Sequence, residues 1–146
     1  MKKQKGFTLI ELLVVIAIIG LLSTLAVVAL NNARMKARDA KRVSDVKQMQ
    51  TALEMYYNDA STYPANVVAG ETIALGGTAT TTYMAIVPSN PQPADATDTG
   101  CGGTGYTYSQ NDAGASYAIS YCLGGITGGI SGNYLHKATP AGIANP

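Results

Sequence analysis

The chain has 146 residues, a net charge of +1 and 13% charged residues, which is one small domain's worth of polypeptide. Its charges are divided: residues 31–58 carry six basic side chains against three acids, whereas residues 59–146 carry Lys137 alone against five acids. The acidic balance of that C-terminal part argues against nucleic acid binding there through an electrostatic footprint.

Apolar residues are gathered at the front instead of being spread as a globular core requires. Residues 1–6 hold Lys2, Lys3 and Lys5, and Phe7 to Leu30 then runs for 24 residues with one charge, Glu11. As a helix this run is roughly 36 Å long, enough to cross a bilayer with some tilt. A core helix of a soluble domain seldom runs so far without a polar face. A cleaved secretory signal fits poorly, because the run is too long and a cut after "LSTLA" discards the membrane segment. An uncleaved signal anchor fits the length but leaves Glu11 as a cost of about 2.5 to 3.5 kcal/mol. Five basic residues from Arg34 to Arg42 stand behind the segment against three in front, so charge alone leaves its orientation open.

No glycine occurs between Gly20 and Gly70, and the first proline is Pro64. The helix is therefore expected to continue from Phe7 to Asn58, roughly 78 Å, as a membrane half (residues 7–30) and an amphipathic half (31–58). Ala26, Ala29, Ala33, Ala37 and Ala40 recur at helical spacing, and Val43, Val46, Met49, Leu53 and Tyr56 take up the rhythm. This reads as one apolar stripe, with Arg, Lys and Asp on the other face.

From residue 59 the composition turns to glycine, proline, threonine and tyrosine. Residues 64–100 read as a loop-rich connector with a short strand or helix at Tyr83–Val87. "GYTYS" and "SYAISYCL" alternate with period two around the hairpin-type turn "NDAG", which places Tyr117, Ile119, Tyr121 and Leu123 on one face of a strand and Ala118, Ser120 and Cys122 on the other. A last strand is expected over Asn133–Ala138. The sheet must bury a face, and the amphipathic helix half supplies the stripe, giving an α+β fold with its sheet in residues 59–146. Outside the cytoplasm Cys101 and Cys122 are able to pair, closing a loop worth roughly 3 kcal/mol; two separate buried thiols are the alternative.

No catalytic constellation is present, and no cofactor is implied. His136 lies alone in "YLHKA". "TGCGGTG" and "GGITGGISG" lack the lysine and hydroxyl ending of a phosphate-binding loop. Asp95, Asp98 and Asp112 match no calcium-loop spacing and read as solvated acids, and "TATTT" (Thr78 to Thr82) reads as polar loop.

The stretch "KGFTLIELLVVIAIIGLLSTLA" closely resembles the N-terminus of class III prepilin-type sequences, the family of type IV pilins and of the pseudopilins of type II secretion and DNA uptake. Direct similarity covers roughly residues 2–30, and the long helix followed by a small cysteine-containing β unit extends it in outline. The resemblance implies that residues 1–6 form a leader cut by a membrane prepilin peptidase between Gly6 and Phe7, that the new amine of Phe7 is methylated, and that the leader stays cytoplasmic while residues 59–146 face outward. It further implies a single-pass inner-membrane protein that polymerises with copies of itself through an inner-membrane assembly platform and ATPase, ending in an extracellular pilus or a periplasmic pseudopilus. In that family Phe7 and Glu11 carry assembly: the amine freed by the cut pairs with a neighbour's Glu11. Many type IV pilins have a mid-helix proline where this chain has Val28, which weakens assignment to the major pilins. A type II secretion pseudopilin, and outside the family a monomeric membrane-anchored binding domain, are the rival expectations.

Overall fold

The structure, a computed structural model, describes residues 6–76, 81–94, 101, 106–132 and 134–144. It contains one long helix, α1 (Leu9–Ala60), a two-stranded sheet of β1 (Ile73–Leu75) and β2 (Thr81–Met84), and a four-stranded sheet of β3 (Thr107–Asn111), β4 (Ser116–Leu123), β5 (Tyr134–Thr139) and β6 (Gly142–Ala144). Both sheets are antiparallel, the larger in the order β3-β4-β5-β6, so the fold class is α+β. Residues divide after Arg34 into two compact units.

In the first unit α1 exposes all its large apolar side chains from Leu9 to Leu30. An 18-residue window of this helix has a mean hydropathy of 2.9, which by length and composition suffices to cross a membrane. Its two hydroxyl side chains bond back to the helix itself, Ser23 Oγ to the Ile19 carbonyl at 2.7 Å and Thr24 Oγ1 to that of Leu21 at 2.8 Å. Neither hydroxyl then needs water.

In the second unit the same helix packs its stripe Val46, Met49, Ala52 and Leu53 on the four-stranded sheet. The expected alternation along β4 is observed: Tyr117, Ile119, Tyr121 and Leu123 are buried, and the residues between them are half-buried. Ala138 and His136 of β5, with Tyr63, Ile73, Val87 and Ile130, are buried with them. Tyr117 Oη reaches Glu54 at 3.3 Å, and Gly124 N, just past the other end of β4, donates to Asp39 at 3.1 Å. Strand β4 therefore runs antiparallel to α1, and the β4–β5 connection lies at the Met35 end of this unit.

Several expectations change. Asp39, Arg42 and Asp45 are buried, not on a solvent face. Positions 39, 42, 46, 49 and 53 share one three-four rhythm, so the first two are the charged upper part of the core stripe. Ala33, Ala37 and Ala40 are instead exposed, and the alanine stripe does not lead into the core. The helix also continues past Asn58 to Ala60, where Ser61 closes it in the left-handed region (φ 54°) with its N–H on the Tyr57 carbonyl at 2.8 Å.

The connector is more ordered than its composition suggests. Tyr83 lies in a strand, β2, whose partner β1 was not anticipated. The "NDAG" turn joins β3 to β4 with Asp112, Ala113 and Gly114 all at positive φ. Strand β6 extends the sheet beyond the expected last strand, which begins at Tyr134. Lys2, Lys3, Lys5, Thr78, Thr80, Asp95, Asp98 and Asn133 lie outside the described residues.

Candidate functional site

Gly6, Phe7 and Thr8 precede the first helical residue and are exposed. Thr8 caps the helix reciprocally with Glu11. Its N–H and Oγ1 both donate to Glu11 Oε2, at 2.8 and 2.7 Å, while Glu11 N–H donates to Thr8 Oγ1 at 3.3 Å. The first helical bond, Leu12 N–H to the Thr8 carbonyl, follows at 3.2 Å. "TLIE" is thus a capping box, in which hydroxyl and carboxylate each satisfy a backbone N–H that the helix start leaves unpaired. The spacing of Thr8 and Glu11 was a legible signal of this role, which the motif reading passed over.

Two consequences follow for the chemistry. The Gly6–Phe7 peptide lies outside the helix, and among the described residues, chain neighbours aside, no atom comes within 4 Å of where a Gly6 Cβ would stand. Glu11 is held by donors of its own chain, at the helix end where the backbone dipole favours a negative charge. Phe7, Ile10, Glu11, Val14 and Val15 line one shallow, almost wholly apolar groove on the helix surface. Among the described residues, Glu11 is the single acid of the apolar unit.

A second charged cluster stabilises the other unit. Arg42 Nη1 meets Asp39 Oδ1 at 2.6 Å, its Nε donates to Asn90 Oδ1 at 2.8 Å, and its Nη2 donates to the Pro91 and Pro93 carbonyls at 2.8 and 2.9 Å. Asp39 also accepts from Gly124 N and, at 2.8 Å, from Gly125 N. One turn of α1 thereby fastens both the 90–93 segment and the β4–β5 connection. Cys101 and Cys122 are joined by a disulfide with Cα atoms 5.7 Å apart, tying the chain ahead of β3 to the outer face of β4.

Tyrosine–carboxylate pairs secure the rest. Tyr63 Oη is 3.0 Å from both Glu54 oxygens, Tyr106 Oη is 2.9 Å from Asp45, and Tyr83 Oη is 2.6 Å from Asp59. Burial, aided by Glu54, pushes the Tyr63 phenol up to about 12. Burial and the Asp45 carboxylate also raise that of Tyr106. His136 is fully buried on β5 with Nε2 2.8 Å from the Ser131 carbonyl. Among the described residues no three His, Cys, Asp or Glu side chains gather as metal ligands.

Residues 1–27 match the prokaryotic N-terminal methylation motif. The chain is 36% identical over 93 residues to the type II secretion system core protein G of Vibrio cholerae, covering 64% of this chain and 56% of that one. It is 48% identical over 62 residues to the Escherichia coli protein of the same name, covering 42% and 43%. To the type IV major fimbrial protein FimA of Dichelobacter nodosus it is 35% identical over 105 residues, covering 72% and 63%. The chain thus spans about half the length of the curated relatives it matches. No solved structure matches it. The chain thus carries the prokaryotic N-terminal methylation motif at the head of its apolar helix and is similar, over part of its length, to type II secretion core protein G and to a type IV fimbrial protein.

Proposed function

We propose that this chain is a non-enzymatic filament subunit, cut between Gly6 and Phe7 by a prepilin peptidase, methylated at Phe7 and polymerised through its N-terminal helix. The observation that carries this reading is a helix segment with every large apolar side chain exposed and a single carboxylate one turn from the cut bond. Such a surface requires lipid before assembly and other copies of itself afterwards. Its partners are then copies of itself, the peptidase, and the assembly platform and ATPase of an inner membrane. The product is a pilus outside the cell or a pseudopilus in the periplasm.

Cleavage supplies the second charge. The new Phe7 ammonium lies at nearly the depth of Glu11, and opposite charges in a low-dielectric medium attract strongly. An incoming subunit docks where its amine reaches a neighbour's Glu11, which exchanges its bond to Thr8 for a charge-assisted one. A mismatched register leaves both charges unpaired, so the pair selects one axial offset.

The pseudopilin reading has its own support, because seven relatives are named core protein G, at up to 48% identity, whereas the FimA match extends over more of the chain. Deleting the gene separates them: loss of surface filaments points to a pilus, retention of exported proteins in the periplasm to a secretion machine. The filament reading itself is tested by mass spectrometry of the mature N-terminus together with Glu11→Val. A methylated Phe7 start, and a variant that is cut but does not polymerise, are expected. An intact Met1, or normal filaments from Glu11→Val, overturns it.

A further inference from the structure

The β4–β5 connection is built to hold an apolar side chain outward at the Met35 end of the second unit. Asp39 fixes Gly124 and Gly125 through their N–H groups. Gly132 packs so closely on Gly125 that a Cβ there would lie 2.5 Å from the Gly125 Cα. Thr127 and Ile130 exchange two backbone hydrogen bonds of 3.0 Å around Gly128 and Gly129, both at positive φ, a tight reversal of the hairpin kind. Ile130 turns inward and is buried, whereas Ile126 is 77% exposed. Tyr134, paired with Leu123 at the same end of the sheet, is also exposed.

The surroundings indicate what covers these side chains. Met35 Cε comes 3.4 Å from the Gly125 Cβ position, so the connection sits beside the first turn of the helix in this unit. Only four residues of chain lie between Leu30, the last residue of the apolar run, and Met35, about 7.5 Å from one to the other if helical. Met35 to Arg42 holds four basic residues, with Lys36 and Lys41 exposed, and its one acid, Asp39, is already committed to Arg42 and the two glycines. An exposed aliphatic side chain, an exposed tyrosine and uncompensated lysines within reach of a membrane boundary match the composition of an interfacial anchor, apolar and aromatic groups at headgroup depth with basic groups beside phosphate.

We propose that, before assembly, Ile126 and Tyr134 rest in the phospholipid headgroup layer of the membrane that α1 enters, with Lys36 against lipid phosphate. This rests on the reading that the apolar half of α1 spans a membrane. The contact orients the unassembled subunit at the bilayer surface, and polymerisation must lift it off.

The chain contains no tryptophan, so single substitutions report their own depth. The full-length protein carrying Ile126→Trp, diluted into vesicles of phosphatidylethanolamine and phosphatidylglycerol with a headgroup-level spin-labelled lipid, is expected to show blue-shifted and quenched emission. Ile86→Trp, an exposed position in the chain just after β2, outside the β4–β5 connection, is expected to show neither. Leu22→Trp, with an acyl-chain label, reports insertion of the helix. Quenching of Leu22→Trp with Ile126→Trp emitting as in water overturns the contact and leaves the membrane reading standing. Absence of quenching at Leu22→Trp overturns both. A blue shift at Ile126→Trp that grows with protein density and is insensitive to the lipid label assigns the surface to a second copy, and also overturns the contact.

Discussion

The two halves of α1 meet the same problem, an acid on a largely apolar helical stripe, and solve it differently. Asp39 is fully buried and finds Arg42, Gly124 and Gly125 within its own unit. Among the described residues Glu11 bonds to Thr8, three residues away, in a segment whose large apolar side chains are exposed. The first carboxylate is finished by folding. The second is capped by its own helix start, and under the proposed assembly it is the one that changes partner.

The comparison is sharpest at Arg42. Arg42→Ala leaves Asp39 buried without its cation and removes the grip on Pro91 and Pro93, so unfolding of the full chain in micelles is expected to require about 3 to 5 kcal/mol less. A loss below about 1 kcal/mol, the range of exposed ion pairs, means that the pair is hydrated. Reducing the Cys101–Cys122 bond is expected to lower the same stability by roughly 3 kcal/mol through the freed unfolded chain, with the helix content of the apolar half unchanged.

A smaller effect depends on pH. Tyr63, Tyr108 and Tyr121 are pushed from 10.0 up to about 12, mainly by burial. Their folded forms hold a proton that the unfolded chain sheds near pH 10, so their contribution is complete below pH 10 and is lost as pH rises towards 12. Denaturant midpoints should fall across that window, together with the appearance of tyrosinate absorbance. A flat profile between pH 9 and 12 contradicts the burial of these phenols. The smallest expected change is at the helix start: Thr8→Val removes a cap worth about 1 kcal/mol and frays the first turn, visible as faster amide exchange at Glu11 and Leu12 with no change in the unfolding midpoint of the second unit.

How much was legible follows from where each partner lies in the chain. The alternation of Tyr117, Ile119, Tyr121 and Leu123 and the uninterrupted run from Leu21 to Tyr63 are local patterns, and both elements formed as expected. The methylation motif that holds Gly6, Phe7 and Glu11 was legible as one contiguous stretch. The roles of Asp39, Arg42 and Asp45 were not, because Asn90, Pro91, Pro93, Tyr106 and Gly124 are all distant in sequence. Charge by itself suggested the solvent face, although the three-four rhythm already put positions 39 and 42 on the stripe. Strands β1 and β6, each three residues long, are too short for periodicity to register and exist through their pairing with β2 and β5.

By itself the sequence determined a long helix with two different surfaces, an N-terminal methylation motif, a charge inside the apolar segment and the alternating strand that opposes the helix. Each of these is written in residues within a few positions of one another, where helix and strand periods act directly. Only the tertiary structure decided which charges are core and which are open, that Cys101 reaches Cys122, and that Ile126 is held out at the Met35 end. Burial and pairing are properties of chain segments brought together, and the energy that selects them, desolvation offset by long-range hydrogen bonds, has no local signature.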